Sequence, residues 1–294
     1  SSDLSSTNAV TPLPDRNGGE QREFQLNIDG QQVSADIGTG GQPKYNQDSI
    51  AEFQFISNRF DATMGRTTGV QVQAVTKSGT NNLSGLLRTN FRNDKFNAEH
   101  PVLGRKIPQN NQQYSTTLGG PIIKDKLHYF GNFEYEREPI GIVFNTPYPA
   151  FNSEREGKNT QKKGGVRGDL QLSTQIRLMG KYSAALQFQP FGALTGVTNQ
   201  FPATVGTNRE YNDEYLGTYT HVLSNRAVNE AKVGKAVFGL ANENYTTWSR
   251  HWQAANGVKT GSPRITFTGF SIGGNQNFPR HQDQWVYSGR DDLT

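Results

Sequence analysis

Leu127-His128-Tyr129-Phe130-Gly131-Asn132-Phe133-Glu134-Tyr135-Glu136-Arg137 changes polarity almost residue by residue. Tyr129, Phe133 and Tyr135 fall on one face with Gly131 between them; His128, Asn132, Glu134 and Glu136 fall on the other with Phe130. Successive side chains of a strand point to opposite faces, so this period predicts a strand with one face suited to lipid and the other to water. Similar stretches of roughly ten residues recur at Leu83–Phe91, Gln113–Gly119, Lys126–Arg137, Gly164–Leu172, Gln175–Leu186, Glu214–Leu223, Ala227–Phe238 and Gln284–Leu293, between Gly, Asn and Pro clusters. In Ala227–Phe238, Ala231, Val233 and Val237 oppose Glu230, Lys232 and Ala236, and Lys235 interrupts the apolar face. Gly168-Asp169 to Thr174-Gln175 allows a tight hairpin, whereas Phe188–Asp213 and Gly239–Gln284 are long connections. Alternating strands with short turns at one end and long loops at the other describe a transmembrane β-barrel. A soluble β-sandwich with long loops shares that pattern.

Composition narrows the classes. Hydrophobic residues make 33% of the 294 residues and the mean hydropathy is −0.73, too polar for a helical membrane protein, while 11% aromatics is too many for a typical disordered chain. No run approaches the roughly 20 apolar residues of a spanning helix, so a spanning structure here has to be a closed barrel. There is no cysteine, which removes thiolate metal sites, thiol catalysis and disulfides. The net charge of +4 is spread among acidic neighbours, as in Lys124-Asp125-Lys126, instead of forming the basic patch of a nucleic-acid binder. The start, Ser1-Ser2-Asp3-Leu4-Ser5-Ser6, has neither the basic nor the apolar part of a signal peptide.

Residues 1–81 have a different texture. Glu23–Ile28 is strand-like, with Phe24, Leu26 and Ile28 on one face, and ends in the turn pair Asp29-Gly30. Asp48–Phe53 offers a capping residue and a short helical turn, followed by a strand at Gln54–Ser57. Gly69–Thr76 alternates strictly and closes on Lys77-Ser78-Gly79-Thr80-Asn81. The whole reads as a small α+β unit ahead of the longer strands.

Six segments in order, from residue 24 to residue 137, carry a family resemblance. They are Phe24–Gly30; Asp48–Phe53; Asn58–Arg66, which ends in Gly65-Arg66; Val72–Asn81 with its Thr76-Lys77-Ser78-Gly79 turn; Gly85–Asn93; and Leu118–Phe130 with Gly119-Gly120-Pro121. Together they resemble the junction between plug and barrel in Oar-like TonB-dependent outer-membrane receptors. The resemblance implies that residues 1–81 are the C-terminal part of a plug and residues 82–294 the first part of the barrel, about eight of about 22 strands. It implies an outer-membrane location, a TonB-type energy-coupling partner acting on a more N-terminal part of the plug, contact with outer-membrane lipid, and passage of a large solute such as a peptide, protein or glycan. Asp29, Gly30, Gly65, Arg66, Thr76, Lys77, Ser78, Gly79, Gly119, Gly120 and Pro121 then serve plug and turn geometry, with a tight reversal at Gly119-Gly120-Pro121 and Lys124-Asp125-Lys126 keeping that connection in water. The departure is one of extent, because such receptors are much longer than this chain.

Enzyme chemistry is not marked. The five histidines lack metal-ligand spacing, and no nucleophile elbow, Walker motif or dinucleotide fingerprint stands in the chain. Glu134, Glu136 and Glu138 form a carboxylate ladder that could bind Ca²⁺ or move protons, but a polar barrel interior explains it without chemistry. No cofactor, catalytic residue or nucleic-acid partner is expected. Trp248-Ser249-Arg250-His251-Trp252 reads as an aromatic girdle pair and a loop, or as a platform for a sugar or peptide. Two other classes fit the pattern: a surface-exposed or secreted structural protein assembling through strand edges, and a soluble glycan-degrading β-sandwich, which would need a carboxylate pair in a cleft.

Overall fold

The computed structural model describes residues 24–33, 44–56, 70–99, 104, 106, 109–191, 205–244, 264–275 and 278–294. Gly65, Arg66 and the Trp248–Trp252 segment lie outside them. The chain forms two units, one of residues 1–42 and 51–76 and one of residues 43–50 and 77–294.

The first unit holds a four-stranded sheet of β1 (Phe24–Ile28), β2 (Gln31–Gln32), β3 (Ile50–Ile56) and β4 (Val70–Thr76), in the order β2-β1-β4-β3. β1 and β2 form a hairpin whose turn needs left-handed backbone at both central residues, and Asp29 (φ 52°) with Gly30 (φ 83°) supplies it. β1 runs parallel to β4, pairing Leu26 with Val72 and Ile28 with Ala74, so these apolar side chains share a face. Ile28, Val72 and Ala74 are buried. The helical turn expected at Asp48–Phe53 is instead a single 3-10 turn, Gln47–Ser49, and β3 begins directly after it. Its cap is Asn46, whose side chain accepts the Asp48 N–H at 2.9 Å, so the true capping residue lies two positions upstream.

The second unit is built on β5 (Ser84–Asn93), β6 (Asn110–Ile123), β7 (Leu127–Phe144), β8 (Ser153–Gln171), β9 (Ile176–Gln189), β10 (Gly206–Ser224) and β11 (Ala227–Asn244). A small hairpin, β12 (Arg264–Phe267) and β13 (Phe270–Gly273), precedes β14 (Arg280–Leu293). β5 to β11 and β14 make one antiparallel sheet in chain order, with β5 and β14 at its edges. All eight alternating stretches are strands, and most extend well past the limits that alternation marks. The reversal between β6 and β7 falls at Lys124–Lys126, where Asp125 takes φ 61°; Gly119, Gly120 and Pro121, expected to make it, sit inside β6 opposite Phe130, Tyr129 and His128. Pro121 is tolerated there because the ladder bulges between Pro121 and Ile123.

Register fixes the two faces of this sheet. One cross-strand row joins Phe133, Gly164, Ala184, Asp213, Val237 and Trp285, and a second joins Gly131, Val166, Tyr182, Tyr215, Lys235 and Tyr287. These are outward positions, and Phe133, Val166, Tyr215, Val233, Trp285 and Tyr287 are all exposed there. The opposite face carries Ser115, Thr117, Glu134, Lys163, Lys181, Asn212 and Glu214, all buried. Apolar-out and polar-in is the pattern of a barrel wall with lipid outside. Lys235, which interrupts the apolar face, lays its ammonium 5.7 Å from the centroid of the Tyr287 ring. Beyond the long-loop ends a separate apolar cluster forms from Phe144, Phe191 and Val205, with Ile140 and Ile142 packed against it.

Candidate functional site

The candidate site is the polar inner face of the large sheet together with the segment Lys44–Ser49, which belongs to the same unit. Its centre is a charged network on neighbouring strands. Glu134 on β7 is 0% exposed, and Lys163 on β8, which pairs with it in register, places its ammonium 3.4 Å from the Glu134 carboxylate and 2.6 Å from that of Glu136. Gln113 on β6 donates to Glu134 from the other side. A buried carboxylate is tolerable when a cation and hydrogen-bond donors surround it, and here one lysine serves two. Glu138, the third member of the ladder, is exposed and accepts from Asn111 at 3.3 Å. Nearer the short-turn end, Asp169 accepts from Arg167 (2.8 and 3.0 Å) and Arg177 (2.7 Å).

Lys44–Ser49 lies against this face at two places. At one, the Asp48 carboxylate accepts from Ser115 Oγ at 2.6 Å and pairs with Arg88 at 3.0 Å, while Asn46 Oδ1 lies 3.3 Å from the same serine. At the other, the Tyr45 hydroxyl donates to the buried Glu214 carboxylate and the Lys44 N–H to Asn212 Oδ1 at 3.3 Å. Register puts Ser115 on β6 and Glu214 on β10, so one short segment ties wall strands that are four apart in the sheet. Arg88, Ser115, Lys163, Asn212 and Glu214 were not marked by the sequence.

The motif residues group into two places. Asp29 accepts from the Thr76 N–H (2.9 Å) with one carboxylate oxygen and from the Thr76 hydroxyl (2.8 Å) with the other, closing β1 onto β4. Gly79, Gly119 and Gly120 meet near the Tyr129 carbonyl: a Cβ on Gly79 would collide with that oxygen, and one on Gly119 would come 3.3 Å from it. Asn81, just past the Lys77-Ser78-Gly79 run, accepts the Asp125 N–H at 2.8 Å, donates to the Asp125 carboxylate and lies 2.8 Å from His128 Nε2. That turn is therefore held onto the β6–β7 connection. Among the described residues, no group of three His, Asp or Glu is placed to hold a metal ion.

A sheet that is polar inside and apolar outside agrees with what comparison shows. The profile of the family described as "Outer membrane beta barrel domain" matches residues 75–158 and 139–294. The chain belongs to this outer-membrane β-barrel family. Its fold is accordingly mainly β, of the kind found in TonB-dependent receptor barrels, and its location is the outer membrane. A stretch of 92 residues is 33% identical to the TonB-dependent transporter Oar of Myxococcus xanthus, covering 29% of this chain and 9% of Oar. The outer-membrane transporter YddB of Escherichia coli superposes with a TM-score of 0.61 at 14% identity, over 92% of this chain and 38% of YddB. A ferric enterobactin receptor, PfeA of Pseudomonas aeruginosa, gives a TM-score of 0.58 at 14% identity, over 94% of this chain and 38% of that one. This outer-membrane β-barrel chain thus spans well under half the length of the proteins it matches.

Proposed function

We propose that this chain is part of a TonB-dependent outer-membrane transporter that moves a large solute, a peptide, protein or glycan, through a plugged barrel. Residues 1–81 act as the end of the plug and residues 82–294 as the first barrel strands. The observation that carries this reading is the Lys44–Ser49 segment bonded across the polar inner face at Asp48 and at Tyr45. A wall whose buried polar groups are satisfied by a separate chain segment is built to be occupied. Those bonds are exchangeable with water, so the segment can leave the wall when a TonB-type partner pulls on the plug. The edges of β5 and β14 would be paired by strands of the same protein outside this chain, because unpaired backbone in lipid costs several kcal/mol per group.

Removing residues 1–81 from the full-length protein tests the reading in cells. The outer membrane is expected to become permeable to a large antibiotic that it normally excludes. Unchanged permeability, with the barrel shown to be folded by heat-modifiable gel migration, would contradict it. Ferric enterobactin appears in the name of one structural neighbour, so the solute's size is the finer question. Competition of uptake by peptides or oligosaccharides, and not by ferric siderophores, is the expected outcome. The open edges also favour a second reading, assembly of copies through β5 and β14. A detergent-extracted polypeptide much larger than 32.6 kDa in a denaturing gel supports the first reading, and a 32.6 kDa species that assembles into oligomers supports the second.

A further inference from the structure

The two faces of the large sheet treat their basic residues differently. On the inner face, Arg88, Lys163, Arg167, Arg177, Lys232 and Arg290 each stand within ion-pair distance of a carboxylate. On the outer face, Arg137, Lys158, Lys162 and Arg209 gather at the long-loop end of β7, β8 and β10. Among the described residues none of the four has a carboxylate partner. Register places them close together. Arg137, Thr160, Phe188 and Arg209 form one row; Tyr135, Lys162 and Leu186 form the next row toward the apolar belt; Lys158, opposite Pro139, stands one row the other way. At about 4.8 Å between neighbouring strands, Arg137 and Arg209 are roughly 14 Å apart. Glu156 and Glu154 follow on the same face beyond Lys158 and bound the basic band on the loop side. The outward acids of the neighbouring sector have partners of their own. Asp213 accepts from Tyr182 (2.7 Å), Asp283 from Tyr211 (2.6 Å), and Glu243 lies 3.3 Å from His281.

We infer that Arg137, Lys158, Lys162 and Arg209 form a binding surface for the phosphate groups of an anionic lipid in the outer leaflet. The long loops mark the outer side of the membrane. Four cations without a carboxylate partner, of which Arg137 donates to Gln112 Oε1 at 3.5 Å, stand level with and above Tyr135, Leu186 and Phe188, and they meet a phosphorylated headgroup with charge and its acyl chains with apolar surface. Arginine grips phosphate through paired N–H donors, and each basic residue at an anionic membrane surface strengthens binding several-fold. The inference rests on the outer-membrane location and not on what the protein transports.

The test uses the intact protein extracted from outer membranes in mild detergent, with phosphorylated lipid A and chemically dephosphorylated lipid A as probes in mixed micelles. Retained lipid per protein is measured by mass spectrometry. The wild type is expected to retain the phosphorylated form at least about ten-fold better, and to lose that preference as salt screens the charges. The R137Q/K158Q/K162Q/R209Q variant is expected to lose the preference, K162Q/R209Q to lose part of it, and the inner-face control K232Q/R290Q to keep it. Equal retention of both lipids by the wild type overturns the inference, and so does an undiminished preference in a folded quadruple variant. If the quadruple variant does not fold, the wild-type comparison and K162Q/R209Q still decide. Because the readout is lipid retained on the barrel exterior and not uptake, a negative result leaves the transport reading standing on its own test.

Discussion

The small sheet and the large sheet use the same alternation of side chains for opposite ends. In β1 and β4 the apolar members of the alternation, Ile28, Val72 and Ala74, are the buried ones. In β7 the buried member is Glu134, at 0% exposure, and its apolar neighbour Phe133 stands 50% exposed. Period two therefore establishes that a strand has two unlike faces, and the medium on each side decides which is which. Water surrounds an ordinary sheet, so burial selects apolar groups. Lipid surrounds the large sheet, so exposure selects them and the polar groups must find each other inside.

The contrast can be broken most severely inside the large sheet. Lys163→Ala leaves Glu134 buried beside Glu136 without its cation, and is expected to cost about 3–5 kcal/mol in reversible denaturant unfolding of the detergent-solubilised protein. Loss of under about 1 kcal/mol would mean that water reaches Glu134 freely. On the other face, Phe133→Arg is expected to cost about 2–4 kcal/mol in lipid vesicles. Phe133→Leu should stay within about 1.5 kcal/mol by the same assay, since it keeps an apolar surface. In the small sheet, Asp29→Ala removes both bonds to Thr76 and is expected to cost about 1.5–3 kcal/mol, seen as faster exchange of the β1 and β4 backbone amides. Smallest of all, Tyr287→Leu removes the ring beneath the Lys235 ammonium and is expected to cost about 0.5–1 kcal/mol, with Lys235→Met largely abolishing the difference.

Those sizes also explain what the sequence displays. All eight wall strands announce themselves because an apolar belt must alternate with a polar interior. Their lengths do not: Ser153–Lys163 contains no large apolar side chain and reads as a loop, yet it continues β8 because the β7 ladder holds its backbone. The β12–β13 hairpin does alternate, with Ile265 and Phe267 on one strand and Phe270 and Ile272 on the other, but its strands are only four residues long inside a Gly- and Asn-rich connection. Its support is tertiary, since Phe270 packs against Tyr148 (5.2 Å between ring centroids) and Phe151 (5.5 Å). Pro121 and two glycines look like a turn, but a bulge absorbs the proline, while the close approach of the Phe130 ring and the Tyr129 carbonyl favours glycine at 119 and that of Leu83 favours it at 120.

The site is legible only in part. Glu134 and Glu136 stand out through their spacing, and Asp29 and Thr76 through their motifs. Lys163 is hidden in a run of two lysines of which one faces inward and one outward, a distinction set by register alone. The Tyr45–Glu214 bond joins residues 169 positions apart, and neither carries a local signature. Such pairs exist only once the sheet has brought β10 to the segment.

The most direct test of the inside-out wall exploits the absence of cysteine from these 294 residues, with any cysteine elsewhere in the full-length protein replaced by serine. Single cysteines at Phe133, Val166, Tyr215 and Trp285 on one face, and at Ser115, Thr117, Asn212 and Thr218 on the other, would be spin-labelled in the full-length protein in lipid vesicles. Relaxation by oxygen, which concentrates in lipid, is then compared with relaxation by a water-soluble nickel chelate. The first four labels are expected to respond to oxygen and the second four to be shielded from it. Oxygen-dominated relaxation at Ser115, Thr117, Asn212 and Thr218, with nickel reaching Phe133 and Trp285, would contradict the account.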